Sequence, residues 1–230
     1  MSSKWLRDNR PTAAALALGG GLTLLVTFLP LAQVAYDNPQ LHLALETAEG
    51  VIAAHLAYLI LGRFRTTGQL RHLALVWAFG MFAVANLLLG ALPIVSLGTR
   101  PAGALPWAAV GLRLLAAATL CFAGFTGSRL APQGRTLVVF VATTTLGAVV
   151  AVGLTAWAAD SFLADAVDPS LSPEASLWPR IVGHPAVMGV QLVGLFLFIL
   201  AAIRFTTEAQ RTSDELLRWL GAGAVLGAFA

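Results

Sequence analysis

The chain alternates between long apolar runs and short segments that hold most of its charged residues. Six of the runs are long enough for the helix of roughly 20 residues that crosses a bilayer core of about 30 Å. A seventh run would rise only about 18 Å as a helix, so it predicts an incomplete span. The pattern predicts an all-α, polytopic transmembrane helix bundle that forms one integral membrane domain over residues 1–230, with spans at about 12–35, 41–62, 73–97, 105–125, 136–159 and 181–203 and an incomplete one at 219–230.

Composition agrees with this class. Hydrophobic residues make up 58% of the chain, charged residues make up 11%, and the mean hydropathy is +0.80, which is more apolar surface than a soluble fold of this length could bury. The single cysteine, Cys121, excludes an intrachain disulfide framework. No hydrolase, metalloprotease or phosphate-loop motif is present, so we expect no enzymatic activity from this chain. A haem held by two histidines needs both of them at one depth on facing helices. His55 lies nearer the inner half of the membrane and has no partner histidine there, so we expect no cofactor.

Basic residues occupy alternate connections between the spans, which fixes a predicted orientation. Cytoplasmic loops carry the excess of Lys and Arg, so the basic side is predicted to be cytoplasmic, with the N-terminus inside. The excess of Arg over Lys is typical of some bacterial proteins, and we predict a multi-pass protein of the bacterial cytoplasmic membrane with the bilayer as its partner and no nucleic acid. The basic side holds Lys4, Arg7, Arg10, Arg63, Arg65, Arg71, Arg129, Arg135, Arg204, Arg211 and Arg218, and the other side holds Arg100 and Arg180.

Ionisable residues at membrane depth are few, and several fall at one level. His42, Glu46 and Glu49 lie at positions i, i+4 and i+7 on one face of the second span. Arg113 is as far from the outer end of the fourth span as Glu49 is from that of the second. Such groups are costly in lipid and tend to face the bundle interior. We predict an outer polar layer that also includes, at similar depth, Asn86, Gln191 and, nearer the surface, His184.

Three interpretations of this layer remain open. In the first, Arg113 neutralises Glu46 or Glu49 as a structural ion pair. In the second, the layer lines a pocket open to the outside that binds a small ligand, an ion or a proton. In the third, His42 and Glu46 share a metal ion with His184. Two carboxylates against one guanidinium leave one acid in excess, which favours the second interpretation.

The last helix has two local signals. Thr212 and Glu215 have the spacing of a capping box, which predicts that the helix begins near Ser213. Gly223 and Gly227 have the spacing that allows two helix backbones to approach closely in lipid. The first signal predicts where the helix starts, and the second favours close packing within the bundle.

Three short motifs resemble the membrane-associated sensor (MASE-type) modules of bacterial signalling proteins. They are the run from His42 to Glu46, the exit of the second span from Gly62 to Arg65, and the Asn86-Leu-Leu-Leu stretch. The similarity covers chiefly residues 41–95 and, more weakly, the segment that begins Leu216-Leu-Arg218-Trp219-Leu.

The resemblance implies a function. Such modules are helix bundles that precede a cytoplasmic output domain, commonly a histidine kinase of a two-component system and sometimes a diguanylate cyclase. It implies an unassigned sensory role for His42 and Glu46, and an output domain, absent from this chain, as partner in cis. A homodimer is a further expected partner. The alternatives are a proton- or cation-coupled transporter or channel-like protein that uses the same carboxylates, and a structural membrane subunit.

Overall fold

The computed structural model describes residues 10–28, 39–92, 95, 104–132, 134–163 and 185–229. Within these ranges the regular elements are helices joined by short turns, with one isolated β-bridge between two of the turns. The helices are α1 (Arg10–Phe28), α2 (Pro39–Thr67), α3 (Leu70–Ala83), which continues directly into the π-helical segment π1 (Val84–Ala91), α4 (Ala104–Phe125), α5 (Arg135–Leu163), α6 (Pro185–Thr212) and α7 (Glu215–Phe229).

Five described segments are long and apolar enough to cross a membrane, which confirms the predicted class at the level of a helical membrane protein. Neither α1 nor the 15-residue α7 is among these five. Two helices run further than the apolar pattern predicts, because α2 continues to Thr67 and α6 to Thr212 through arginine-containing turns. Parts of the predicted spans, including 29–35 and 181–184, lie outside the described residues. The five segments are Leu43–Thr67, Leu70–Ala91, Ala104–Phe125, Arg135–Phe162 and Met188–Thr212.

Ion pairs between residues far apart in the sequence link the ends of α2 and α6 to the starts of α7 and α3. Arg63 near the end of α2 pairs with Asp214 just before α7, at 3.1 Å, and Arg71 at the start of α3 pairs with Glu208 near the end of α6, at 3.4 Å. We call this the arginine-rich end of the bundle, because every described arginine except Arg113 lies toward it: Arg10, Arg63, Arg65, Arg71, Arg129, Arg135, Arg204, Arg211 and Arg218.

The core is built largely from alanine and lies in the half of the bundle nearer the arginine-rich end. Phe205 of α6 and Leu75 of α3 are fully buried, and Leu217 of α7 is 1% exposed. Around them lie alanines from α3, α4, α6 and α7. Small side chains let helix backbones approach closely, and close packing holds helices together where lipid is as apolar as leucine.

Two helices pack at the periphery. In the apolar window of α5 none of the residues is buried, and α5 packs mainly against α4, where Thr155 lies opposite Gly111. The helix α1 packs mainly against α7. A helix with apolar residues on all sides and one protein neighbour suits an environment of lipid rather than water.

The start of α7 corrects the predicted cap. The side chain of Asp214 accepts a hydrogen bond from the backbone N–H of Leu216 at 3.0 Å, so Asp214 is the N-cap. Thr212 instead donates to the carbonyl of Glu208 within α6. The capping-box prediction was therefore wrong, because Ser213 between the two helices adopts a left-handed conformation with φ of 56° that ends α6.

Of the two glycines in α7 that were predicted to allow close packing, only Gly227 lies at a close contact. A Cβ on Gly223 would meet nothing within 4 Å, whereas one on Gly227 would lie 2.7 Å from the ring of Phe198. The second close approach occurs at Gly221, where a Cβ would lie 2.7 Å from the hydroxyl of Thr206. Glycines six residues apart, rather than four, therefore bring α7 against α6.

Substitutions of Asp214 should separate its two roles. Asp214→Asn keeps a capping oxygen and removes the charge, so it should lower the free energy of unfolding by less than about 1 kcal/mol, as expected for an exposed ion pair. Asp214→Ala removes both and should lower it by about 1 to 2 kcal/mol. Unfolding by sodium dodecyl sulfate in mixed micelles measures both changes. Equal losses for the two variants would show that the charge and not the cap matters.

Candidate functional site

Four of the predicted polar residues meet between α2, π1 and α4. The guanidinium of Arg113 donates to Glu46 Oε1 through Nη2 at 2.8 Å and to Asn86 Oδ1 through Nε at 2.8 Å. The amide of Asn86 in turn donates to Glu49 Oε2 at 3.4 Å, near the limit for a hydrogen bond. We call these four residues the polar network. It joins three helices through one chain of contacts.

Burial within the polar network is uneven. Asn86 is 4% exposed and the side chain of Glu46 is 13% exposed, whereas that of Arg113 is 38% exposed and Glu49 is exposed. Glu49 lies six residues into the segment Leu43–Thr67, about 9 Å along a helix. The network therefore has a covered half, where Glu46 and Asn86 lie, and an accessible half that ends in a carboxylate.

Two glycines make the close approach of α2 and π1 possible. A Cβ on Gly50 would lie 2.5 Å from Cγ of Leu87 and 3.3 Å from Cβ of Asn86. A Cβ on Gly90 would lie 2.8 Å from Oε2 of Glu46. Both positions therefore require the absence of a side chain if Asn86 and Glu46 are to reach Arg113.

The π-helical geometry of π1 coincides with the polar network. This segment spans Val84–Ala91 and includes both Asn86 and Gly90. Such wider turns are rare and occur frequently at functional sites, because they rotate side chains relative to a regular α-helix. No sequence signal pointed to it, apart from the glycine at position 90 in an otherwise apolar run.

The charges of the polar network do not balance. Within the described residues, Arg113 contacts Glu46 directly and is linked to Glu49 through Asn86. When all three ionisable groups are charged, the network carries one net negative charge, and that charge is assigned to the accessible carboxylate of Glu49. Because Glu49 is exposed, its carboxylate is the part of the network that a small ligand or ion can reach.

The other predicted layer residues stand apart from this network. Gln191 lies on α6, where its side chain is exposed and no hydrogen bond links it to the network within the described structure. His42 lies on α2, but its side chain falls outside the described part of the chain, as does all of His184. The metal hypothesis for His42, Glu46 and His184 therefore stays a prediction; among the side chains that are described, no group of three metal-ligating residues occurs.

A second polar cluster, which the sequence did not indicate as a unit, lies at the arginine-rich end. The side chain of Arg71 is 7% exposed, pairs with Glu208, and has an Nε atom with no partner among the described atoms. A groove of about 600 Å³ lies between Arg71 on one side and Arg63 and the first turn of α7 on the other. Arg63 and Arg71, which were used above to predict the orientation, thus also link α2 and α3 to α6 and α7 through ion pairs.

The turn between α2 and α3 adds backbone contacts to this cluster. Gly68 ends α2 with φ of 63° and its carbonyl accepts from the N–H of Ala131, while Leu70 N–H donates to the carbonyl of Arg129, both at 2.8 Å. The α2–α3 turn is therefore fastened to the segment between α4 and α5. Contacts at this end therefore link α2 and α3 both to the connection between α4 and α5 and, through the ion pairs, to α6 and α7.

No family model, no curated protein and no solved structure matches this chain. The resemblance to membrane-associated sensor modules therefore stays a prediction that rests on the motifs quoted for it.

Proposed function

We propose that this chain is a sensory input module of a bacterial signal-transduction protein, in which the polar network receives the stimulus. The observation that supports the proposal best is the unbalanced network of Glu46, Glu49, Asn86 and Arg113 shared by three helices. In this proposal Glu49 gains or loses a proton or a small cation. The gain or loss changes which packing of α2, π1 and α4 is the more stable.

The polar network suits a receiver because a small change there alters contacts between helices. If Glu49 is neutralised, Asn86 loses its charged acceptor and the two hydrogen bonds of Arg113 can redistribute. Since Gly50 and Gly90 hold α2 and π1 in close contact, the helices have little room to adjust locally. A shift of whole helices by about 1 to 2 Å is the expected response.

The contacts at the arginine-rich end provide a route for such a shift. The same α2 that carries Glu46 and Glu49 carries Arg63, which pairs with Asp214 at the cap of α7. The helix α3, which continues into π1, carries Arg71, which pairs with Glu208 of α6. A displacement at the polar network would therefore change contacts at the start of α7. This chain of contacts is a physical basis for coupling between the two ends.

The proposal includes a topology. Six spans and a seventh beginning in α7 would place the N-terminus and the arginine-rich end in the cytoplasm, with the polar network in the outer half of the bacterial cytoplasmic membrane. A cytoplasmic output domain in cis, such as a histidine kinase or a diguanylate cyclase, would then receive the displacement of α7. The module itself would perform no catalysis.

Distance measurements between spin labels test the proposal. The full chain carries Cys121→Ala, and cysteines replace Arg65 on α2 and Trp219 on α7, both exposed. In lipid nanodiscs the distance should shift by about 1 to 2 Å between neutral and acidic pH, or when Na⁺, K⁺ or Ca²⁺ is added alone. Glu49→Gln should abolish the shift, because the exchangeable charge is gone.

Asp160→Asn provides the matched control, since Asp160 is a carboxylate on α5 at the same end of the bundle as the polar network but outside it. This variant should respond as the parent does. A parent distance that changes under none of these conditions, or a shift that survives Glu49→Gln, would overturn the proposal. Parent protein that moves protons or cations across liposome membranes without a distance change would favour a transporter instead.

A further inference from the structure

A long apolar groove runs between α1 and α6, with α7 as its floor. It encloses about 670 Å³, within the range of known small-molecule sites. Its walls include Leu16 of α1, Ile199 and Ile203 of α6, and Val225 of α7. The groove exists because α1 packs mainly on α7 rather than on α6.

Hydrogen-bonding groups that the helices leave available lie toward one end of the groove. Gln210 of α6 is exposed and lines this end of the groove, one helical turn after Thr206. Thr12 lines the groove opposite them. The hydroxyls of Thr23 and Thr207, in contrast, donate to carbonyls of their own helices. The groove is therefore apolar along its length and offers hydrogen bonds at the arginine-rich end.

Positive charge lies just beyond that polar end. Arg10 is two residues before Thr12, and Arg211 follows Gln210 directly; both are exposed. The order from the middle of the bundle outward is thus hydrocarbon wall, neutral hydrogen-bonding groups, then guanidinium groups. A phospholipid has the same order of parts: acyl chain, ester carbonyls, phosphate.

We propose that this groove binds one acyl chain of an anionic phospholipid, with its ester carbonyls near Thr12 and Gln210 and its headgroup near Arg10 and Arg211. An extended peptide fits the groove less well, because its backbone N–H and C=O groups would have no partners along the apolar walls. An acyl chain has no such groups. Arginines near the headgroup attract anionic lipids over zwitterionic ones.

Native mass spectrometry of the full chain tests this directly. The protein is purified in mild detergent and titrated with an equimolar mixture of phosphatidylglycerol and phosphatidylcholine. We expect one tightly retained lipid, predominantly phosphatidylglycerol. Filling the groove with Ile199→Trp should weaken that retention by about tenfold or more, whereas Leu146→Trp on the exposed surface of α5 should leave it unchanged. The double change Arg10→Gln and Arg211→Gln should keep lipid binding but reduce the preference for phosphatidylglycerol by about tenfold.

A second groove-filling variant separates loss of the binding site from misfolding of the protein. Leu16→Trp fills the groove from the α1 wall and should give the same loss as Ile199→Trp, with thermal unfolding as the check that each variant is folded. Equal retention by the parent and by a folded groove variant would overturn the proposal. So would a parent that retains no lipid beyond its surface-bound ones, or a dimer that dissociates when the groove is filled.

Discussion

Arg113→Leu is expected to destabilise the protein by about 2 to 3 kcal/mol. The substitution leaves the carboxylate of Glu46, which is 13% exposed, without its guanidinium and leaves the amide oxygen of Asn86 without a donor. Breaking one side of a fully buried pair costs about 3 to 5 kcal/mol. We expect less here because the Arg113 side chain is 38% exposed. Unfolding by sodium dodecyl sulfate in mixed micelles measures the loss.

A double-mutant cycle separates the ion pair from the packing of the Arg113 side chain. Adding Glu46→Gln to Arg113→Leu removes the carboxylate charge that the Arg113 guanidinium had faced and should recover about 1 to 2 kcal/mol, a coupling typical of residues in direct contact. The same Glu46→Gln change added to Asp214→Asn, at the opposite end, should recover nothing. If the two losses at Glu46 and Arg113 simply add, the contact seen between them does not stabilise the fold.

Gly50→Ala is expected to lower the free energy of unfolding by about 1 to 3 kcal/mol, although alanine is the better helix former. A Cβ at this position would lie 2.5 Å from Cγ of Leu87, so either the Leu87 side chain must shift or α2 and π1 must separate. Separation would also draw Asn86 away from Glu49. The spin-label response proposed above should weaken in the same variant, which the distance measurement checks.

Gly147→Ala is the control for this prediction. Gly147 lies in the middle of α5 and is exposed, and a Cβ added to it would meet nothing within 4 Å. The substitution should therefore raise the free energy of unfolding by up to about 1 kcal/mol through helix propensity alone. Destabilisation by both variants would mean that glycine flexibility, rather than close approach, is what matters at Gly50.

Depth along each helix was predictable from the sequence, and it identified the polar network. Counting from the ends of apolar runs places Glu46, Glu49 and Arg113 at one level, and Asn86 follows by the same count. The count works because the rise per residue of a helix is constant. It explains why residues from three separate helices can be grouped correctly before any contact is known.

Rotation about each helix axis was not predictable in the same way. The same count groups Gln191 with the network, yet α6 packs against α4 and α7 rather than α2, and the Gln191 side chain is exposed. The π-helical turn of π1 changes the rotation of Asn86, and no composition signal marks such a turn. The Asp214 cap was not predictable, because it depends on a left-handed conformation at Ser213 between α6 and α7. That conformation is uncommon for residues other than glycine.

The pairing of α1 with α7 bears on how the protein is made. A ribosome releases α1 first, but the helix against which it packs is synthesised only after nearly all of the described chain. Until then α1 lacks the helix against which it mainly packs. Its docking is therefore a late step in biogenesis, and in a nascent chain arrested before α7 the residues of α1 should be more accessible to proteases than they are in the full chain.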